Sequence, residues 1–398
     1  MILENISAEQ FGGKSRITAR ICDFEVWFEL PTVHFQGNVG DAFACLAFFP
    51  AMSKAATKST TLTIPESYSV SPGLKKNLQQ QMLIFQAWSE QLRPFNFEAR
   101  TEKKVQMDSR VVSSFSGGVD SFFTALTHPE VTQLTHIRGF ESSLEGKRPE
   151  RFAPTRLDKA VSSLAKELVV IETNALDFFK HLRLQRYLIH GCLLACAGHL
   201  MGPRAYVVPN SAPLSNLDLR SGSHPLSDPG WSSDTVEITH DLSLEDRLEK
   251  IKLVYDAGFL DDLIVCAHRN DIYHHEHAQN CGNCMKCIRT MLSIFLQGLH
   301  STAFAEPLTL SKIRQCRPNN TVDFPLWDSD RNLSLARELK QHSWVRAMVW
   351  AELPYRLREI AKSILEALDD LFTGGRMTTF RQKRRTHQPH DGWFKITP

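Results

Sequence analysis

No apolar run in this sequence is long enough to cross a bilayer. The longest, residues 187–201, is interrupted by His190 and His199, and a spanning helix needs about 20 predominantly apolar residues. The opening MILENISAEQ lacks the basic stretch followed by an apolar one that marks a signal peptide. The chain is therefore expected to be cytoplasmic, with no membrane partner. Charge of one sign is also scarce: 46 Lys+Arg against 44 Asp+Glu leave +2. Such a balance offers no general attraction for nucleic acid or a membrane surface. No dense basic stripe precedes the tail, so nucleic acid is not an expected partner. No internal repeat is evident. What is present is ordinary globular composition, 42% hydrophobic and 23% charged. At 398 residues there is chain enough for two domains and a sizeable core. Nine cysteines is an odd count, and three cluster within residues 281–287. In a reducing compartment that pattern points to metal binding over disulfides.

The stretch VVSSFSGGVDSFFTALTH, residues 111–128, organises the rest. Val111, Val112 and Phe115 read as a short buried strand and residues 122–126 as the start of a helix. Strand, glycine turn and helix together present free backbone N–H groups to an anion. Gly117 and Gly118 permit close backbone approach, and Ser116 and Ser121 add hydroxyls. Asp120 would repel phosphate on its own; it makes sense as a carrier of Mg²⁺ shared with phosphates. The lysine of the Walker pattern is missing, which argues against an ATPase of that type. SGGxDS after a strand instead resembles the PP-loop of the ATP pyrophosphatase superfamily. That resemblance implies ATP cleavage between the α and β phosphates and adenylation of a substrate. It also implies that Ser116, Gly117, Gly118, Val119, Asp120 and Ser121 bind the nucleotide, with Asp120 and Ser121 as candidate catalytic residues.

Around this stretch, residues 1–105 read as a small α+β domain suited to recognition. Strands are expected within 17–30, at 61–64 and at 95–99, with helices at 42–53, capped by Asp41, and after Ser71-Pro72. From about residue 106 the pattern becomes α/β. Expected strands fall at 110–115, 132–138, 168–172, 205–208, 236–239 and 263–266, with helices after Ser121, at 155–167 and at 184–201. That alternation implies a parallel sheet with ligands at the carboxyl ends of its strands. Residues 301–398 read as a helical extension. Its helix over 343–372 is expected to break or kink at Pro354, and its tail is basic, with Arg381, Lys383, Arg384 and Arg385.

Residues 210–233 are rich in Ser, Pro, Asp and Gly, a candidate lid. Ser223, His224 and Asp228 could read the edge of a heterocycle; the plainer alternative is a solvated turn with Trp231 as its anchor. Cys281-x2-Cys284-x2-Cys287 converges thiolates on one ion, and tetrahedral zinc wants a fourth ligand. Cys266 is the first choice, with His268, His274, His275 and His277 as rivals and an iron–sulfur cluster as a competing occupant. Lys286 and Arg289 are candidate phosphate or carboxylate contacts, or plain surface charge.

SGGVDS followed by C…CxxCxxC resembles 7-cyano-7-deazaguanine synthases, over residues 110–299. The resemblance implies an adenine nucleotide alpha hydrolase-like fold and a structural zinc held by Cys266, Cys281, Cys284 and Cys287. It implies ATP with Mg²⁺, and 7-carboxy-7-deazaguanine, a deazapurine, as substrate; His224 and Asp228, read from the loop itself, are the candidate contacts. The extra N-terminal hundred residues, the long gap from Cys266 to Cys281 and the altered substrate loop are similar to longer synthase-like proteins of bacterial antiphage defence. There the resemblance implies a protein amine as acceptor in place of ammonia. Synthase activity proper, a non-catalytic nucleotide-binding subunit and a tRNA-modifying thiolase are the alternatives.

Overall fold

A computed structural model describes residues 3–106, 108–140, 144, 156–184, 186–211, 214, 217, 221–266, 279–316 and 331–373. The chain begins with three strands, β1 (Glu4–Phe11), β2 (Lys14–Ile21) and β3 (Phe24–Pro31), then α1 (Val39–Met52), β4 (Thr61–Thr63), α2 (Pro72–Trp88) and β5 (Asn96–Glu98). The α/β part follows with β6 (Val111–Ser114), α3 (Val119–Thr127), β7 (Gln133–Arg138), α4 (Arg156–Ser163), β8 (Glu167–Thr173), α5 (Ala175–His181), α6 (Arg186–Met201), β9 (Ala205–Val208), β10 (Glu237–His240) and α7 (Arg247–Asp256). Four helices close the described chain: α8 (Met285–Leu296), α9 (Leu310–Gln315), α10 (Asn332–Glu338) and α11 (His342–Thr373).

One eight-stranded sheet, in the order β1-β2-β3-β8-β7-β6-β9-β10, forms the middle layer. The five strands from β8 to β10 are parallel and the first three are antiparallel. β2 and β3 are joined by Cys22 and Asp23, both at positive φ, as a tight two-residue hairpin requires. The seam is β3 against β8, where Phe28 opposes Thr173 and Glu29 opposes Glu172. Asn174 locks that seam: its Oδ1 accepts from the Trp27 amide at 2.8 Å and its Nδ2 donates to the Glu25 carbonyl. The sheet therefore runs through the domain boundary expected near residue 105. Strands 4–31 share one core with α6 and the parallel strands.

Period-two alternation along each strand divides the apolar residues between two faces. Val112, Tyr206 and Val208 look onto the first face, with α1, α2, α5 and α6. Val111, Ala205 and Val207 look onto the second, with α3, α4, α7 and α8. Ile313, Leu333, Ala347 and Met348 also enter the second core, so the helical extension begins as part of the body. α11 continues as one helix through Pro354; the break expected there does not occur. The basic tail lies outside the described residues. No helix among the described residues is long and apolar enough to cross a membrane.

Most expected elements lie within a few residues of their sequence positions. Residues 263–266 are the exception: they form no strand. Their amides bond to Gly117 and to Asn280, not to a neighbouring strand. At α1 the expected cap Asp41 yields to Asn38, whose Oδ1 accepts from the Gly40 amide. Asp41, fully buried, instead accepts from the amide and hydroxyl of Ser71 at the start of α2.

Candidate functional site

The glycine loop leaves β6 at the carboxyl edge of the parallel strands and opens α3. Gly117 has φ +69°, and a Cβ there would meet Leu157 and Ile264 at 3.1–3.3 Å. A side chain there would be strained by conformation and crowded by its neighbours. Gly118 is the N-cap of α3. The Ser121 hydroxyl folds the loop on itself, donating to the Gly118 carbonyl (3.0 Å) and accepting from the Ser116 amide (3.3 Å). It therefore shapes the loop. Val119 is buried, which leaves its backbone as the part available to a ligand.

Asp120 is not the bare charge that its position in the motif implies. Lys250 Nζ lies 3.5 Å from one carboxylate oxygen and Arg247 Nη1 3.8 Å from the other. Both cations come from the first turn of α7, three residues apart and so on one helical face. A capping box sets that turn: Asp246 Oδ1 accepts from the amides of Leu248 and Glu249, while Glu249 accepts from the Asp246 amide. Arg331 holds the remaining oxygen of Asp246 at 2.8 Å. Arg247 also reaches Thr290 Oγ1 on α8 (2.9 Å), and Lys250 donates to the Asn210 carbonyl beyond β9 (2.6 Å). Three segments thus meet at the α3 N-terminus. The pattern Asp246-x-x-Glu249 marks the start of α7 in the sequence; that this turn meets Asp120 is set by the fold.

One turn along α3, the Thr124 hydroxyl donates to Asp241, which follows β10, at 2.5 Å. His128 sits 3.3 Å from the other oxygen of Asp241 and 2.8 Å from Glu130. The Asp241 hydrogen bond, assisted by Glu130 and opposed by burial, pushes the His128 pKa up to about 9. Burial opposes the Asp241 charge, but its bonds to His128 and Thr124 outweigh this and hold its carboxyl below the ordinary value.

The second cluster is built from Cys266, Cys281, Cys284 and Cys287, whose sulfurs all lie within 4.8 Å of one another. Neighbouring pairs are 3.9, 3.9 and 3.4 Å apart. Cys266 and Cys287 are buried, Cys281 and Cys284 half-buried. The Cys281 sulfur accepts from the amides of Asn283 and Cys284. Gly282, at φ +71°, presses on the Glu306 carbonyl where a Cβ would sit at 2.6 Å. Hydrogen bonding with Cys284 that favours its protonated form, together with burial, pushes the Cys287 thiol well up. Such crowding disfavours any thiolate charge unless a cation answers it. Four converging sulfurs suit a tetrahedral metal ion, so the cluster could hold one. The rival histidines, His268, His274, His275 and His277, lie outside the described residues.

Asn280 ties this cluster to the glycine loop. Fully buried, it accepts from the amides of Val265 (2.8 Å) and Cys266 (3.0 Å), and donates to the carbonyls of Leu263 and Ala303, both at 2.8 Å. The segment it grips gives the Ile264 amide to the Gly117 carbonyl at 2.7 Å. A force at the sulfurs therefore reaches the loop through two residues of backbone. Lys286 is exposed and Arg289 half-buried on the helix that starts at the cluster.

The described part of the 210–233 segment is fastened, not solvated. Trp231 is buried among Phe48, Phe49 and Phe85. Gln81 and Asn77 of α2 hold the carbonyls of Ser227 and Ser232, and His199 holds that of Trp231. His224 spends both ring nitrogens locally, on the Leu226 amide and the Leu217 carbonyl. Asp228, fully buried, accepts from Ser223 and His240 at 2.7 Å through one oxygen. Its other oxygen, His240 Nε2 and Trp231 Nε1 are buried without a hydrogen-bond partner.

Comparison with protein-family models, curated proteins and solved structures gave no match to this chain.

Proposed function

We propose that the chain is an ATP-dependent ligase that adenylates a carboxylate and passes the acyl group to an amine. The observation that carries this reading is the glycine loop at the carboxyl edge of a parallel sheet, opening α3 with Asp120 between Arg247 and Lys250. Negative charge on the α-phosphate and on departing pyrophosphate is what backbone amides and two fixed cations stabilise. The substrate carboxylate oxygen would attack the α-phosphorus and expel pyrophosphate. The amine nitrogen would then attack the acyl carbon, lose a proton and expel AMP. Asp120 would hold the Mg²⁺ that accompanies ATP, a hard cation suited to carboxylate. The same carboxylate also aims Arg247 and Lys250 at the loop.

The four cysteines fit zinc in a structural role, because four thiolate ligands leave no open position for water. None of the nine cysteines forms a disulfide, which supports a reducing setting for the chain. For the acyl substrate, the resemblance of the two motifs to deazaguanine chemistry points to 7-carboxy-7-deazaguanine or a similar deazapurine. The unpaired buried atoms of Asp228, Trp231 and His240 offer the acceptor and donors that a heterocycle's edge would satisfy. They are enclosed, so reading a base there requires the 221–233 segment to lift. His224, with both nitrogens engaged, is the weaker of the two nominated contacts. A protein amine, such as an N-terminus in an antiphage system, is the proposed acceptor and ammonia the alternative.

Hydroxylamine tests the reaction class. With ATP, Mg²⁺ and the deazaguanine carboxylate, an acyl-adenylate would be trapped as a hydroxamate. ATP binding without hydroxamate or pyrophosphate would favour a nucleotide-binding subunit instead. Mass spectrometry of co-expressed proteins, seeking an added deazaguanine acyl group, tests the acceptor.

A further inference from the structure

α11 changes character along its length. Ala347, Met348 and Ala351 are buried in the second core. On another side of the helix and beyond, Trp350 is 59% exposed, Leu357 57%, Ile360 56%, Ile364 55% and Leu371 75%, with Leu353 at 38%. A contiguous apolar surface of this size marks an interaction site. Its spacing is specific: 350, 353, 357, 360, 364, 367 and 371 advance by three and four residues in turn, the repeat of a two-helix seam. Only Ala367 among these is small. The seam from 353 to 371 extends for about 28 Å at 1.5 Å per residue.

The sequence of this stretch also carries an orientation. Arg356, Arg358 and Lys362, with Glu359 among them, make the first part net basic, and Glu366, Asp369 and Asp370 make the second acidic. A parallel pairing of two identical helices would set basic against basic and acidic against acidic. An antiparallel pairing sets each basic stretch against an acidic one. The apolar positions allow it in register, with 353 opposite 371, 357 opposite 367 and 360 opposite 364. Residues 356 and 370, next to the seam on the same flank, then face each other across it twice, once on each side of the two-fold axis. Like charges opposed across helices are unfavourable and opposite ones favourable, which is how flanking positions choose orientation.

We infer that α11 is the interface of a homodimer, the occupant being the same segment of a second copy, laid antiparallel about a two-fold axis near residue 362. An isologous contact of this kind closes on itself. Light scattering and sedimentation of the full-length protein test it. The wild type is expected to be a dimer. Ile360→Asp is expected to give a monomer with unchanged metal content and unchanged pyrophosphate release, since the substituted position lies outside both cores. Arg356→Asp and Asp370→Arg are each expected to raise the dissociation constant roughly tenfold, and the two changes together to restore it. The charge variants leave the apolar seam intact, so they remain decisive if Ile360→Asp aggregates. A monomeric wild type, or a dimer indifferent to Ile360→Asp, would overturn the interface. A double variant no tighter than the singles would overturn the antiparallel arrangement.

Discussion

The two faces of the sheet are held by different means. The first is an apolar core in which α1 and α6 are buried almost throughout, with Phe48, Phe49, Phe85 and Trp231 in edge-on contact. Its buried charges hold particular segments: Asp41 accepts from Ser71 ahead of α2, and Asp228 from Ser223 and His240. The second face carries a comparable apolar base, but its working edge is fixed by polar clamps: Asn280 on residues 263–266, the capping box of Asp246, and the four thiols. Apolar packing tolerates substitutions of similar volume, whereas a buried clamp that loses one partner strands the others. A chain arranged in this way can vary its first face while the geometry around Gly117 and Asp120 stays fixed.

Removing a sulfur should separate the faces most sharply. Cys284→Ser is expected to reduce bound metal from about one equivalent to none and to unfold or aggregate the protein, since a structural metal contributes folding free energy on the order of 10 kcal/mol. Metal analysis and thermal melts would check this; a fully stable, metal-free variant would remove the distinction, and a brown, iron-containing protein would replace zinc with a cluster. Trp231→Ala is the counterpart on the first face. It is expected to cost about 3–5 kcal/mol in denaturant unfolding while leaving metal per folded chain unchanged. Loss of metal in that variant would mean that the two faces are one cooperative unit at the site.

Asp120→Asn tests the chemistry; it also takes one carboxylate charge from the buried Lys250 and from Arg247, so a thermal melt accompanies the assay. Carboxylate-dependent pyrophosphate release is expected to fall by at least about a hundredfold, the scale of one transition-state electrostatic group, with metal content unchanged. Ser116→Ala is expected to weaken phosphate contact more mildly. The smallest effect concerns His128. Its pKa is raised above the unfolded value, so the protonated form's contribution is fully present below about pH 6.5 and is lost as pH rises through about 9. His128→Gln should therefore lower stability by about 1 kcal/mol at pH 6, discounted for the partial exposure of the ring. Above pH 9 the gap should close; a gap that widened with pH would contradict the assigned pairing with Asp241.

The glycine loop and the cysteines were legible in the sequence because each depends on local spacing: SGGVDS sits between a strand and a helix, and CxxCxxC brings sulfurs together within one turn. Cys266 was reachable as the end of an apolar run. The reason given for that run was a strand, however, and its hydrogen bonds go to Asn280 and Gly117. Asn280 itself was invisible, since a buried asparagine between Gln279 and Cys281 has no pattern to announce it. Arg247 and Lys250 lie well over a hundred residues from Asp120 in sequence, and only the fold joins them. The alternation that made residues 17–30 readable as strands could not say which sheet they would join. That was decided by Asn174 and Thr173, whose side chains hold the backbone of β3. The composition of residues 210–233 suggested a lid or a solvated turn anchored by Trp231; in the described part Trp231 is buried as an anchor, and three helical side chains hold the neighbouring carbonyls.

The bond at which ATP is cut tests the central claim most directly. Incubated with ATP, Mg²⁺ and a deazaguanine carboxylate, the protein is expected to yield AMP and pyrophosphate in equal amounts, and to do so only when the carboxylate is present. The Asp120→Asn protein should yield neither at a comparable rate. Release of ADP and inorganic phosphate, or equal turnover by the variant, would contradict the assignment of residues 116–121 as the loop that binds and splits ATP.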